Sequence, residues 1–144
     1  MRLTRSAGYA LVAVGHIASE YPSSPILAKA ISKKYKIPLD YLLKILQQLV
    51  RASVLNSVRG PHGGFTLARP PAKITFLNVV EAVDGPFIST PAVTELKIDA
   101  TFNRRIVETY KKSASQAAAV LSKATSANLG AGGKTKTAKR KKRR

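Results

Sequence analysis

The residues best suited to chemistry in this chain are polar side chains on one amphipathic segment and a glycine-rich turn that follows it. Asp40, Tyr41, Lys44 and Gln48 lie within one helical repeat pattern, and the turn spans residues 59–64 (RGPHGG). Such side chains form hydrogen bonds with base edges and ion pairs with phosphates, and these contacts break no covalent bond. The pattern therefore indicates recognition of a nucleic acid.

Catalytic and metal-binding patterns are missing from the sequence. The chain has no cysteine, which excludes disulfides, thiolate metal sites and cysteine nucleophiles. His16 and His62 are its two histidines, and neither has partners at metal-ligand spacing. There is no Ser/His/Asp set, no pair of carboxylates and no phosphate-cradling loop between a strand and a helix. We expect no enzyme activity, no cofactor and no metal.

The net charge favours a polyanionic partner. The 144 residues hold 25 Lys and Arg against 7 Asp and Glu, which gives +18. Residues 134–144 contribute +8 (8 basic, no acidic), residues 1–72 contribute +8 (10 basic, 2 acidic), and residues 73–133 contribute +2 (7 basic, 5 acidic). The segment 134–144 has no aromatic residue on which bases could stack, so double-stranded DNA is the expected partner.

Hydrophobic periodicity predicts three short helices ahead of the turn, over residues 5–20, 26–35 and about 38–52. Pro38 suits the first position of the third helix, where its missing N–H costs nothing. The buried stripe of this helix is predicted to be Leu39, Leu42, Leu46, Leu49 and Val50. Short strands are predicted on both sides of the turn, at 54–58 and 65–68. Three helices and a hairpin predict a mainly α fold with a small β-hairpin wing, the winged helix-turn-helix.

This fold suits DNA because the major groove admits one α-helix, which must present polar side chains near its N-terminal end. A thin, glycine-rich wing can approach the backbone closely, and an arginine at its tip is attracted by a narrow minor groove. His62 is either a phosphate contact or a solvated loop residue, and His16 is expected to be packed. The residues predicted to contact DNA are Lys33, Pro38, Asp40, Tyr41, Lys44, Gln48, Arg59, Gly60, His62 and Gly63.

Two further helices are predicted downstream, over residues 75–84 with Thr75 as a cap, and over residues 100–123. Residues 87–99 show no clear period, and from about residue 125 the composition predicts disorder. The predicted organisation is a DNA-binding domain at 1–86, a linker and long helix at 87–124, and a disordered basic tail at 125–144. No apolar run is long enough to span a membrane and no signal-peptide layout is present, so we expect a cytoplasmic, nucleoid-associated protein.

Four stretches of the sequence resemble a known family. They are Met1-Arg2-Leu3-Thr4 with Gly8-Tyr9-Ala10, Ile37-x-Leu39-x-Tyr41-Leu42, Ser57-Val58-Arg59-Gly60-Pro61-x-Gly63-Gly64-Phe65-x-Leu67-Ala68-Arg69-Pro70, and Glu81-Ala82-Val83-Asp84. The chain resembles the Rrf-type bacterial transcription regulators, which include IscR, NsrR and CymR. The resemblance covers residues 1 to about 86 and, more loosely, 100–123. It implies a homodimer on a roughly palindromic operator, a helix at 100–123 that crosses its partner, and phosphate contacts from Arg2 and Thr4.

The chain departs from this family where iron–sulfur members bind their cluster. Those members carry three cysteines after the Glu-Ala-Val-Asp helix, and residues 87–105 here have none. Gly8 and Val12 stand in the first-helix stretch where some members have an acidic or histidine ligand. Leu43 stands where some members place an acidic residue that discriminates between operators. We therefore expect no cluster, and leave open a small-molecule or protein effector.

The sequence leaves two functions from different classes. The first is a sequence-specific DNA-binding transcription regulator, a homodimeric repressor without an iron–sulfur cluster. The alternative is an architectural nucleoid-type protein that binds DNA non-specifically through its basic tail. A protein-interaction module with no role on DNA is disfavoured by the charge of +18.

Overall fold

The computed structural model describes residues 3–22, 24–87 and 97–129, and it confirms the predicted fold class. Over these residues the chain is mostly helical, with one two-stranded antiparallel hairpin and a long helix near the end. The helices are α1 (Arg5–Ser19), α2 (Ala28–Tyr35), α3 (Leu39–Arg51), α4 (Phe76–Asp84), α5 (Ala100–Lys123) and α6 (Ser126–Leu129). The strands are β1 (Leu55–Val58) and β2 (Gly64–Leu67), and a 3-10 turn (Pro71–Lys73) precedes α4. No helix in these ranges is long and apolar enough to cross a membrane.

The core lies between α1, α2, α3, α4 and the hairpin. Small residues line the inner side of α1, where Ala7, Ala10 and Ala13 have no exposed surface. Their size lets α1 pack closely on α3 and α4. Leucines of α3 fill the space between these helices, and the burial of each leucine side chain stabilises the fold by about 1.5–3 kcal/mol. The result is a rigid base from which the opposite side of α3 projects.

The buried stripe of α3 differs in part from the prediction. Leu42, Leu46 and Leu49 are buried as expected, but Leu39 is 36% exposed and Ile45, which was not predicted, is 2% exposed. Val50, also predicted to be buried, is only half-buried. The observed stripe runs 42, 45, 46, 49, and Leu39 lies one turn beyond the end of the core. Pro38 has ψ 127 and caps α3 from outside. The prediction that it is the first helical residue is therefore wrong by one position.

The wing is attached to the chain between α1 and α2. Strand pairing runs from Leu55↔Leu67 to Val58↔Gly64. Ile26 adds a third pairing, because its N–H donates to Phe65 O at 3.0 Å and its carbonyl accepts from Phe65 N at 2.8 Å. A Cβ on Gly64 would lie 2.6 Å from Ile26 O, so this pairing requires glycine. The pairing of Ile26 with Phe65 also explains why α2 begins at residue 28 and not at the predicted residue 26, since Ile26 is extended.

The prediction of a tail that is disordered from residue 125 is wrong for residues 125–129. After α5 the chain returns to the start of α4, where Phe76 N donates to Ala124 O at 2.8 Å and Thr125 pairs with Thr75. Ser126 is fully buried in α6, and its hydroxyl donates to Ile74 O at 3.0 Å. Arg2, residues 88–96 of the unassigned segment and the basic stretch 134–144 lie outside the described residues.

Candidate nucleic-acid interface

The surface of α3 opposite the core forms a polar ridge. Asp40, Lys44, Gln47 and Arg51 follow one another at steps of four, three and four, and all four are exposed. They border a groove of about 640 Å³. The groove brings together five predicted contacts, which are Pro38, Asp40, Tyr41, Lys44 and Gln48, with Ser6 at its edge. Gln47 and Arg51 were missed by the sequence analysis, although their helical spacing from Lys44 was the signal that could have found them.

Tyr41 is held in place by α1. Its hydroxyl lies 2.5 Å from the Ser6 hydroxyl, within hydrogen-bonding distance. The Tyr9 ring meets the Tyr41 ring edge-on, with centroids 5.6 Å apart and an interplanar angle of 84°. Tyr41 remains 39% exposed. The side chain is thus oriented before any ligand arrives, and one edge of it faces solvent.

The wing turn occupies residues 59–63, between β1 and β2. Arg59, Gly60 and His62 are exposed, and Gly60 has φ +108, a backbone conformation that favours glycine. Gly63 is buried, and its N–H closes the turn by donating to Gly60 O at 3.0 Å. A Cβ on Gly63 would lie 2.2 Å from Val58 O. Gly63 is therefore required by the geometry of the turn, and its contact with DNA stays a prediction.

A second groove joins α3 to the wing. Its lining is Gln47, Val50 and Arg51 from α3, Ser57 from β1 and Phe65 from β2, and its volume is about 370 Å³. Arg51 and Gln47 border both grooves. The helix ridge and the wing therefore form one continuous surface, with an arginine where they meet.

Two predicted contacts occupy other positions. Lys33 is exposed on α2, and it lines neither of the two grooves. Thr4 caps α1, because its hydroxyl oxygen accepts from Ala7 N at 3.0 Å. The same hydroxyl donates to the Asp84 carboxylate at 2.7 Å. The Thr4 hydroxyl therefore makes hydrogen bonds within the protein, although Thr4 itself is exposed, and its role as a phosphate contact stays a prediction.

The cations of this surface have no acidic partner within the described residues. The one ion pair among the described residues joins Arg104 and Glu108, both in α5, at 3.9 Å. Lys44, Arg51 and Arg59 therefore make no ion pair with a described carboxylate. Unpaired cations on an exposed ridge are available to neutralise phosphates, which releases counterions and stabilises a complex with DNA.

His16 packs elsewhere, between α1 and α2. Its Nδ1 lies 2.9 Å from the Tyr35 hydroxyl, and the two rings meet edge-on at 5.4 Å. Burial lowers the pKa of the His16 imidazole, the charge of Lys34 lowers it further, and Glu20 opposes these effects. The arrangement is that of a packed histidine, as the sequence predicted, and it forms no part of the ridge.

Comparison with known proteins identifies the family. Residues 3–131 match the Rrf2 family, described as "Iron-dependent Transcriptional regulator". The chain belongs to the Rrf2 family. The members of this family are transcriptional regulators and not enzymes, in agreement with the sequence analysis.

Two relatives show how far the similarity extends. A Rhodopseudomonas palustris protein named BadM is 41% identical over 80 residues, which cover 56% of this chain and 51% of BadM. The transcriptional regulator IscR of Xenorhabdus nematophila is 36% identical over 84 residues, which cover 58% of this chain and 51% of IscR. The chain thus spans about half the length of the curated relatives it matches.

Solved structures confirm the fold over nearly all the described residues. The global cysteine regulator CymR of Bacillus subtilis superposes with a TM-score of 0.74 at 22% identity, covering 90% of this chain and 95% of CymR. IscR of T. potens gives 0.67 at 25% identity, covering 90% and 85%. Both comparisons include the winged helix and α5.

The cysteine-free sequence and the described residues offer no ligand set that fits an iron ion or a cysteine-ligated cluster. The sequence has no cysteine. In residues 3–22, 24–87 and 97–129 no group of three or more His, Cys, Asp or Glu side chains could hold a metal. The His16 Nδ1 lies within hydrogen-bonding distance of the Tyr35 hydroxyl.

Proposed function

We propose that this Rrf2 chain is a sequence-specific double-stranded DNA-binding transcription regulator, a homodimeric repressor that works without an iron–sulfur cluster. The observation that supports it best is the continuous surface from the α3 ridge to the wing. Lys44 borders the first groove, Arg51 borders both grooves, and Arg59 is exposed in the wing turn. None of the three has an acidic partner among the described residues. This surface has the shape and charge that a groove of DNA and its flanking phosphates require.

In the proposed binding mode, α3 and the wing contact different grooves of the DNA. Helix α3 enters the major groove, where Asp40 and Lys44 from its N-terminal half, and Gln48 one turn further along, reach base edges. Lys44 suits guanine, which offers two acceptors, and Gln48 suits adenine. The wing places Arg59 at the adjacent minor groove. Arg51, which borders both grooves of the protein surface, contacts the DNA phosphate backbone that lies between the major groove and the minor groove.

The proposed dimer rests on the exposed apolar side of α5. Phe102 is 59% exposed and Tyr110 41% exposed, and they lie two helical turns apart. A helix of 24 residues is about 36 Å long, enough for a partner helix to pack along it. A two-fold dimer would set its two α3 helices about 34 Å apart, one turn of DNA, and bound protein would block the promoter.

The absence of a cluster has a direct spectroscopic test. Purified full-length protein should show no charge-transfer absorbance near 400 nm, and its affinity for DNA should not change after treatment with an oxidant. Regulation then comes from a small-molecule or protein effector. A bound chromophore that alters DNA affinity would overturn this part of the proposal.

The proposal is tested by selecting a binding site and measuring how specific the binding is. Genomic fragments are captured on full-length protein, and footprinting at ~150 mM salt then defines the operator. Operator DNA should bind ~10³-fold more tightly than random DNA. Arg59→Ala and Lys44→Ala should each weaken operator binding by about 1–3 kcal/mol. Lys73→Ala, which removes the same charge from the 3-10 turn, is the matched control.

An architectural role is the second candidate, and the eight basic residues of 134–144 favour it. In this role the basic tail supplies most of the affinity for DNA, and the winged helix contributes only its shape. It predicts equal affinity for any duplex. Equal affinity in the footprinting experiment would overturn the sequence-specific proposal and support this one.

A further inference from the structure

Asp84, the last residue of α4, is hydrogen-bonded to Thr4, the residue that caps α1. Both of its carboxylate oxygens lie close to the Thr4 hydroxyl, at 2.7 and 2.9 Å. The same hydroxyl accepts from Ala7 N and caps α1. The carboxylate therefore lies at the N-terminus of α1, where the helix dipole favours a negative charge. A carboxylate acceptor also makes this hydrogen bond stronger than one between neutral groups.

The first turn of α1 is in turn bonded to α3. Ser6 follows Thr4 by two residues, and its hydroxyl lies 2.5 Å from the Tyr41 hydroxyl. Tyr9, one turn further along α1, packs edge-on against the same Tyr41 ring. Tyr41 borders the groove along the polar ridge. A shift in the first turn of α1 would thus move a side chain at the proposed DNA surface.

The end of α4 is also fixed to the residues that leave the winged-helix unit. Glu81 accepts from Phe87 N at 2.6 Å, and Gly85 N donates to Glu81 O at 3.0 Å. Gly85 has φ +84, which lets the chain turn directly after Asp84. Residues 85–87 are therefore held to the last turn of α4, which ends at Asp84.

We propose that Asp84, Thr4, Ser6 and Tyr41 form a relay that sets the orientation of α3 from the end of α4. In this relay Asp84 and Ser6 are positioning residues, since they act on DNA through Tyr41. The inference rests on the proposed function for its DNA readout. It adds to that function the route by which a displacement of residues 85–87 would change DNA affinity.

The competing explanation is purely structural. In that case Asp84 is a polar helix end whose loss lowers the stability of the fold and leaves Tyr41 unaffected. A double-mutant cycle separates the two, because residues that act through one another give non-additive effects. The cycle uses Asp84→Asn and Tyr41→Phe in the full-length protein, both of which keep the shape of the side chain.

Operator and random duplexes are the probes. Each single variant should weaken operator binding about fivefold, the effect expected for one hydrogen bond, with little change on random DNA. The double variant should be no weaker than the weaker single variant. Asp84→Asn combined with Arg59→Ala is the control pair, and its effects should multiply because the wing is outside the relay. Multiplicative effects for Asp84→Asn with Tyr41→Phe would overturn the relay.

A DNA-free measurement keeps the relay testable if the proposed function fails. Amide chemical shifts of ¹⁵N-labelled protein are compared between wild type, Asp84→Asn and Ser6→Ala. The relay predicts that both variants shift the amides of the first turn of α3 near Tyr41. Unmoved α3 amides in both variants would overturn it. By contrast, wild-type protein that binds operator and random DNA equally would overturn the proposed function alone.

Discussion

At the scale of single residues, Gly63 is a position with no room for a side chain. A Cβ there would lie 2.2 Å from Val58 O and 2.9 Å from Gly60 O, and both are backbone atoms that cannot rotate away. Gly63→Ala should therefore open the wing turn. It should lower the free energy of unfolding by about 1–3 kcal/mol, the usual cost of forcing atoms into filled space. We expect weaker operator binding with unchanged helix content, measured by titration and circular dichroism.

Gly8 provides the matched control for this substitution. It lies in α1, and nothing is within 4 Å of the Cβ it would gain. Gly8→Ala should stabilise the protein by about 0.5–1 kcal/mol, because alanine loses less backbone entropy in a helix. A Gly63→Ala protein that binds operator as the wild type does would show that the tight turn is not needed.

His16 gives the fold a dependence on pH. Burial and Lys34 lower the pKa of the imidazole in the folded protein, so the unfolded chain binds a proton more readily. The stabilisation from a neutral His16 is present above the unfolded pKa of about 6.5 and is lost as pH falls below it. We expect the melting temperature to fall less between pH 7.5 and 5.5 in His16→Gln than in wild type.

The Tyr35 hydroxyl supplies the control for this pH effect. Tyr35→Phe removes the 2.9 Å hydrogen bond to His16 and keeps the packed ring. Because burial and Lys34 cause the lowered pKa, this variant should keep the wild-type pH dependence. A pH dependence that survives His16→Gln unchanged would place its origin in other groups.

At the scale of elements, local patterns were sufficient to predict α1 to α5 but not their exact contacts. Helix α5 begins and ends at the predicted residues, and Thr75 caps α4 as expected, with Asn78 completing a capping box. Capping and periodicity are local signals, so one sequence reveals them. The face of α3 that is buried depends on where α1 lies, which explains the errors at Leu39 and Ile45.

The elements that were missed depend on long-range contacts. Helix α6 has a low-complexity sequence, SANL, and it is ordered because Ser126 bonds to carbonyls more than 50 residues earlier in the chain. The bond of Thr4 to Asp84 joins residues 80 positions apart. The ridge residues could be found from the sequence because helical spacing alone places them on one side of α3. The relay behind them was not, because it exists only once three helices have packed.

Helix α5 carries the proposed dimer contact, which can be tested by adding a charge. Phe102 is 59% exposed, and we expect a second protomer to cover it. Placing a carboxylate there removes apolar burial worth about 1.5–3 kcal/mol at each of two symmetric positions. Phe102→Glu should therefore weaken the dimer by at least ~100-fold, measured by sedimentation equilibrium.

Gln116→Glu is the control for the α5 prediction, since it adds the same charge at an exposed polar position of the same helix. It should leave the dimer intact. A Phe102→Glu protein that sediments as the wild type does would show that this side of α5 is not the interface. A monomeric wild type would overturn the dimer itself.

At the scale of the whole molecule, the positive charge has two sources that should act differently on DNA. Residues 1–72 carry +8 and include the α3 ridge and the wing, whereas 134–144 carry +8 in a stretch of lysine, arginine, threonine and alanine. Deleting 134–144 should reduce the slope of log affinity against log salt by up to ~7, because each phosphate neutralised contributes about 0.9. The ratio of operator to random affinity should stay the same, since contacts to phosphate carry no sequence information. A ratio that collapses on deletion would mean that the tail, and not the α3 ridge, selects the site.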